Sequence, residues 1–471
     1  MDNKTTNNFP KQSLWEAVKD AIVGTEVDYT KISLRRAIFL LAVPMILELV
    51  MESTFAVVDI YYVGKLGASA VATVGLSETF LFLLFSVAMG LATAVTAIIA
   101  RRIGEKKEED AGKSAVQSIF LGLLASVPFA ILGIFFSKDL LLFMGGDVWS
   151  LEHGYRYTQW IFGTNIVIVL LFIINAIFRG AGDAAIAMRV LWVANGVNII
   201  LDPILIFGWG PIPALGIEGA AIATTIGRGT GVLIQIWTLF HAGKHIKVTI
   251  PELKLDTSIM WHIFQTALGG IGQMMIGMTS WIFLMRILAN ISSEAVAGST
   301  ITLRIMMFTM MPAWGLSNAA ATLVGQNLGA GNPDRAESSV WKIGFYNMIF
   351  LILVAITYFT YNEFLMSIFS NDPKVIGIGA EWLRILSYSY LVYGWWMVST
   401  QAFNGAGDTK TPTLINLVFF WCIQIPLSYF LAIHLGWEHS GVFWGVFFSE
   451  TSAGFFTLWL FTRGSWKKFQ V

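Results

Sequence analysis

From about residue 34 to the end, the chain alternates long apolar blocks with short polar breaks. Most blocks reach about 20 residues, the length at which a helix crosses a hydrocarbon layer about 30 Å thick. The pattern predicts about twelve spans, over residues 34–63, 69–100, 113–137, 154–178, 184–208, 216–241, 259–290, 294–325, 339–362, 377–402, 411–434 and 441–463. No soluble domain interrupts them. The longest central connection begins HAGKHIKVTIPELKLD, is polar and carries Pro251, so it reads as a linker. The expected organisation is an N-terminal segment over 1–30, a six-helix lobe over 31–240, a linker over 241–257 and a second six-helix lobe over 258–471. Within the first segment, SLWEAVKDAIVG (13–24) fits a short amphipathic helix at the membrane surface, or a frayed tail.

Composition strengthens this reading. Hydrophobic residues make up 56% and charged residues 13%, where a soluble domain is nearer a quarter charged. The 18 Trp and 35 Phe suit a lipid-facing surface with aromatic belts. A formal net charge of zero offers no field to recruit nucleic acid. One cysteine, Cys422, excludes a disulfide framework, and the six histidines show no metal-ligand spacing. No P-loop, HExxH or GxSxG occurs, so neither an enzyme nor a nucleotide-driven pump is expected and no cofactor is implied. The polar first 30 residues lack the apolar core of a cleaved signal peptide.

Basic residues cluster in alternate loops. Arg101, Arg102, Lys106, Lys107 and Lys113 follow the second span, Arg179 the fourth, Lys244, Lys247 and Lys254 the sixth, Arg335 the eighth, and Lys410 the tenth. Arg463, Lys467 and Lys468 close the chain, whereas the other loops show little more than Lys65, Lys138 and Lys374. Positive-inside bias then puts both termini in the cytoplasm of a multi-pass cell-membrane protein.

The halves repeat. FRGAGD at 178–183 returns as FNGAGD at 403–408, an offset of 225 that also carries Gly90 onto Gly315, Gly104 onto Gly329 and Gly216 onto Gly441. Six spans per half is an even number, so the repeats run in parallel and a substrate cavity is expected between them.

These motifs, with VDIYYVGKLG (58–67), GQNLGAGNPDRA (325–336), FNGAGDTKTP (403–412) and NIILDP…GIEGAAIAT (198–224), resemble the multidrug and toxic compound extrusion (MATE) family along essentially the whole chain from residue 31. The resemblance implies an all-α polytopic membrane protein with V-shaped lobes. It further implies an antiporter that expels organic, often cationic, compounds in exchange for protons or sodium ions. A monomer in the lipid bilayer is expected. Related lipid-linked precursor flippases share the lobe plan, but their cavities are strongly cationic, and the spans here hold few Arg or Lys.

The chemistry concentrates in the first half. Asp202 interrupts the apolar run NIILDPILIFG, and an ionised carboxylate at the centre of a span costs at least ~2.5–3.5 kcal/mol. It persists where it meets partners or water, or takes up a proton. Asn198 shares its helix face, and Pro203 is expected to kink the helix and free backbone carbonyls. On the first span Glu48, Glu52 and Asp59 fall on one stripe, unsuited to lipid. Structural alternatives are a helix-end hydrogen bond for Asp59, a satisfied kink carboxylate for Asp202, and a structural or solvent-accessible role for Glu48 and Glu52. Glu78, Arg228, Arg304 and Glu450 also lie in spans, as ion pairs or cavity lining. The Met-rich MMIGM and MMFTMMPAW read as packing, although thioethers also suit promiscuous binding. The GAGD loops read as tight turns, Gly supplying positive φ and Asp capping the next helix.

The resemblance to one branch of the family implies ion coupling by Asp59, Asn198, Asp202 and Thr224, with Tyr157 (or its neighbour Tyr155) and Asn175 as further candidates. The other branch uses second-lobe acids. The offset of 225 places Leu284 and Leu427 opposite Asp59 and Asp202, and the second lobe has no acid on its seventh span and none in the interior of its tenth, which disfavours that mechanism here. Proton coupling is the leading expectation and sodium the alternative.

Overall fold

In the computed structural model, residues 13–241, 245–246 and 248–469 are described. The first 12 residues, linker residues 242–244 (with Lys244) and Lys247, and the last two residues lie outside them. Twelve helical spans follow one another: Leu34–Gly64 (α1), Ala68–Gly104 (α2), Glu108–Phe143 (α3), Ser150–Ala181 (α4), Ala184–Phe207 (α5), Ile217–His241 (α6), Thr257–Ala289 (α7), Ser293–Gly329 (α8), Pro333–Ser367 (α9), Pro373–Ala406 (α10), Lys410–His434 (α11) and Glu438–Thr462 (α12). Among the described residues nine of these are long and apolar enough to cross a membrane on composition alone. The other three, α6, α10 and α12, carry charges such as Arg228, Glu381 and Glu450 that lower their hydropathy.

Apart from the linker between His241 and Thr257 the connections are short; successive helices run antiparallel, and both ends of the described chain lie at one end of the bundle, the terminal end. The sequence segment 13–24 forms a helix, Leu14–Val23, closed by a capping box between Ser13 and Glu16. It packs on α1 and α5 through buried Ala21, and Asp20 pairs with Arg36 at 3.6 Å.

The repeat reappears as geometry. A Cβ on Gly90 of α2 would lie 2.4 Å from Ile271 of α7, and one on Gly315 of α8 would lie 2.7 Å from Ile46 of α1. Ile46 and Ile271 are themselves separated by the offset of 225, so these are two copies of one crossing. Gly104 against the Gln326 carbonyl (2.1 Å to a Cβ) and Gly329 against the Arg101 carbonyl (2.3 Å) form a second symmetric pair. Glycine is required at all four because one lobe's backbone lies where a side chain would go.

A core shared by the lobes joins α1 from Leu34 to Met45 with Ala319–Leu328 of α8, Ala336–Ile343 of α9 and Val398–Ala406 of α10. It occupies the terminal end. A second core runs the length of the first lobe and takes in Ile263 and Ala267 from the start of α7, and a third fills the second lobe; towards the far end the halves diverge around a cleft. The result is the V of two parallel six-helix repeats.

The chain before α1 straps the closed end. Tyr29 donates its hydroxyl to the Gly182 carbonyl (3.1 Å), Arg335 donates to the Tyr29 (2.9 Å) and Ile32 carbonyls, and Lys106 pairs with Asp28 at 2.8 Å. Burial works against ionisation of Asp28, but hydrogen bonds from Lys106 and Thr30 outweigh it and hold its carboxyl down at about 2.

The two GAGD turns differ from expectation in one respect. Gly182 and Gly407 do adopt positive φ, +97° and +91°, and Asp408 caps by accepting from the Thr411 amide at 3.1 Å. Asp183 makes no side-chain cap. Its carboxylate instead binds the backbone amide (3.1 Å) and Nδ1 (2.6 Å) of His245 in the linker, a partner unavailable to the second repeat.

Candidate functional site

Within the first lobe, α5 and α6 pack closely because Gly227 has no side chain: a Cβ there would lie 2.6 Å from the Ala194 carbonyl and 2.9 Å from Asn198 Cβ. This brings Thr224, one turn before Gly227, to the flank of Asn198, and Arg228, the next residue after Gly227, reaches Glu52 of α1 instead. Asn198 donates Nδ2 to Asp202 Oδ1 and to Thr224 Oγ1, each at 3.3 Å. Asp202 is fully buried and Asn198 nearly so. The helix holds helical dihedrals through Pro203 to Phe207, so the expected kink amounts to one lost N–H and the Ile199 carbonyl it would have bonded.

Asp59, near the far end of α1, faces the same place. Its charge, that of Asp202 and the phenol of buried Tyr157 act on one another. Tyr155 instead sits at the far surface, its ring 4.3 Å from the Lys138 ammonium, so Tyr157 is the tyrosine that joins the cluster. Three acceptors here, Asp59 Oδ1, Asn198 Oδ1 and Asp202 Oδ2, are buried and receive no hydrogen bond from the described residues. Buried acceptors normally have donors, and two carboxylates with a spare oxygen each make a place that attracts a proton or small cation.

Asn175 does not join this group. It lies towards the terminal end, donating to Glu48 Oε1 (3.1 Å) and accepting from Gln235 (2.6 Å), while Arg179 pairs with the same Glu48 oxygen at 3.2 Å. Glu52, one turn further along α1, accepts from Arg228 (2.6 Å) and from Asn195 (3.2 Å). The α1 stripe is thus turned into the first lobe at three depths, and its lower two members are ion-paired. Glu48, Glu52, Asn175, Arg179 and Arg228 line the floor of the cleft, where Met274 and Asn318 approach from the second lobe.

Sequence reasoning did not single out Asn195, Arg179 or Gln235 as partners. Asn195 stands three residues before Asn198, which is the signal that could have found it. Of the other charged residues within spans, Arg228 is paired. Glu78 and Arg304 are exposed in the far half, close enough for their charges to interact yet with no ion pair formed. Glu450 of α12 is buried without an ion pair among the described residues. The residues equivalent to Asp59 and Asp202 in the second lobe are a fully buried Leu284 and a half-buried Leu427. No group of three His, Cys, Asp or Glu suited to a metal ion occurs among the described residues.

A V of two parallel six-helix lobes around a polar-floored cleft defines a membrane transporter, not an enzyme. The MatE family model matches residues 44–204 and 266–430, one block in each repeat, and the chain belongs to this family of multidrug efflux transporters. It is 26% identical to the probable multidrug resistance protein NorM of Thermotoga maritima, over 92% of this chain and 94% of that one. It is 25% identical to the probable multidrug resistance protein YoeA of Bacillus subtilis, over 94% and 96%. A structure described as the outward-facing conformation of a multidrug resistance MATE family transporter superposes with a TM-score of 0.87 at 24% identity, over 94% of this chain and 99% of that one, a likeness of fold.

Proposed function

We propose that this protein is a secondary antiporter that exports cationic or amphiphilic organic compounds across the cell membrane in exchange for protons. Asp59 and Asp202 carry the protons, Asn198, Thr224 and Tyr157 frame them, and the unit is a monomer with cytoplasmic termini. The observation that carries the reading is the set of three buried acceptors on Asp59, Asn198 and Asp202 that no donor among the described residues reaches. A carboxylate in that setting is stabilised by taking up a proton, which removes its charge from a low-dielectric site and turns one acceptor into a donor. The bias of basic residues towards the loops at the closed, strapped end supports a cytoplasmic position for that end, with the cleft facing outward. A proton entering from outside then meets Asp59 and Asp202 first, and Glu48 and Glu52 at the floor offer negative charge to a cationic substrate.

The test is ethidium efflux from proteoliposomes under an imposed ΔpH or ΔNa⁺. Efflux should follow ΔpH, and Asp202→Asn should fold and insert while losing the coupled component. Full ΔpH-driven efflux by that variant refutes the assignment. Efflux that follows ΔNa⁺ alone replaces the proton with sodium, for which the same oxygens are suitable ligands. Absence of gradient-driven efflux combined with lipid translocation would indicate a flippase instead.

A further inference from the structure

Arg228 sits 6% exposed on α6 with its Nη2 2.6 Å from Glu52 Oε1. Its guanidinium carbon lies 5.3 Å from the centre of the Phe55 ring. Phe55 is three residues after Glu52 and four before Asp59, so all three share one face of α1 and the ring forms a platform between the carboxylates. Seven residues of helix separate the carboxylates by about 10 Å, and the guanidinium lies on Glu52 and beside the Phe55 ring. Asp59 already experiences the charge of Arg228, while its Oδ1 accepts no hydrogen bond from the described residues. The other titratable or charged groups around Asp59 are Glu52 on its own helix, Glu78 of α2 (with Arg304 of α8 beyond it), Tyr157 of α4 and Asp202 of α5. Arg228 is the one cation among the described residues whose charge acts directly on Asp59. Of the four charges on the cleft floor, Glu52 is the most open, its side chain 27% exposed against 5–15% for Glu48, Arg228 and Arg179.

We propose that Arg228 is an internal counter-cation that alternates between Glu52 and Asp59, and so couples proton release to capture of a cationic substrate. This rests on the reading that Asp59 gains and loses a proton during transport. With Asp59 protonated, the guanidinium neutralises Glu52 and closes it to cations, as in the present geometry. When Asp59 gives its proton to water, the new carboxylate draws the guanidinium along the Phe55 face, and Glu52 becomes available to an organic cation. Charge balances in both states: one ion pair and a neutral acid in the first, two ion pairs in the second. A half-exchanged state leaves a carboxylate unpaired in a low-dielectric site, the costly arrangement that makes the exchange obligatory. Arg228 is therefore a positioning residue. It need not touch the substrate.

Equilibrium binding of ethidium to the purified full chain, measured against pH, tests this. Linkage of one proton makes wild-type affinity rise about tenfold per pH unit across the titration of Asp59. Arg228→Gln leaves Glu52 open throughout, so affinity at the acid end should rise to the alkaline value and the pH dependence should flatten. Arg228→Lys keeps the charge and should keep the slope. Glu52→Gln retains an acceptor for Arg228 and should bind no ethidium at any pH, which provides a test even where Arg228→Gln fails to fold. A wild-type slope that persists in Arg228→Gln, or pH-dependent binding by Glu52→Gln, overturns the proposal. A flat wild-type profile overturns proton coupling through Asp59 itself, so failure of that underlying reading is distinguishable.

Discussion

Gly90→Ala adds a single methyl group where the two lobes cross. The new Cβ would lie 2.4 Å from both Cγ1 and the backbone nitrogen of Ile271, and 2.7 Å from its Cα, whereas ordinary contact begins near 3.4 Å. Backbone cannot rotate aside, so the crossing has to open by about 1 Å. Overpacking of this kind costs roughly 1–3 kcal/mol, paid only in the conformation in which the lobes touch here. The gain in helix propensity from replacing glycine, about 1 kcal/mol, is common to every conformation and cancels from the comparison. The closed-at-the-terminal-end state should therefore lose population by about 5- to 150-fold relative to its alternative. Spin labels on Glu109 and Asp334, exposed residues that follow α2 and α8 at the terminal end of opposite lobes, would report it by pulsed distance measurement. The short distance should diminish in Gly90→Ala and, by the repeat, in Gly315→Ala. Gly277→Ala on α7, where a Cβ meets nothing within 4 Å, should leave it unchanged. A Gly90→Ala distribution identical to that of Gly277→Ala would refute the view that this crossing separates during transport.

Two further outcomes are expected. Leu284→Ala, at a fully buried second-lobe position equivalent to Asp59, should cost ~2–5 kcal/mol in stability, read as a lower unfolding temperature, without altering ΔpH dependence. Half-buried Leu427→Ala should cost less, and altered pH dependence in either would mean that coupling is shared between the lobes. In the linker, burial alone would lower His245, but the hydrogen bond and charge of Asp183 outweigh it and leave it above its ordinary 6.5. Its contribution to stability is then complete below pH 6.5 and lost as pH rises through the raised value, so the melting-temperature gap between wild type and His245→Gln should narrow over that range. A gap independent of pH would refute the charged His245–Asp183 contact.

The span count, the parallel repeat and the family resemblance were legible in the chain because each rests on local chemistry: twenty apolar residues need a bilayer whatever surrounds them, and an offset of 225 is a property of the string. The stripe of Glu48, Glu52 and Asp59 was equally readable, since helix geometry alone puts the three on one face. What each acid meets was not. Glu48 and Glu52 found arginines on α4 and α6, more than a hundred residues away, while Asp59 was left near Asp202 with an oxygen that no group among the described residues satisfies. Asp183 and Asp408 occupy equivalent turns with the same four-residue motif, yet one caps its helix and the other binds His245, because the linker passes only the first. The repeated glycines could be listed from sequence, but their partners, Ile271 and Ile46, became evident only where two backbones meet. Local propensity fixes which helices form and which faces are polar. Partner choice depends on which faces are brought within a few ångströms of one another, and that is decided by packing between helices distant in the chain.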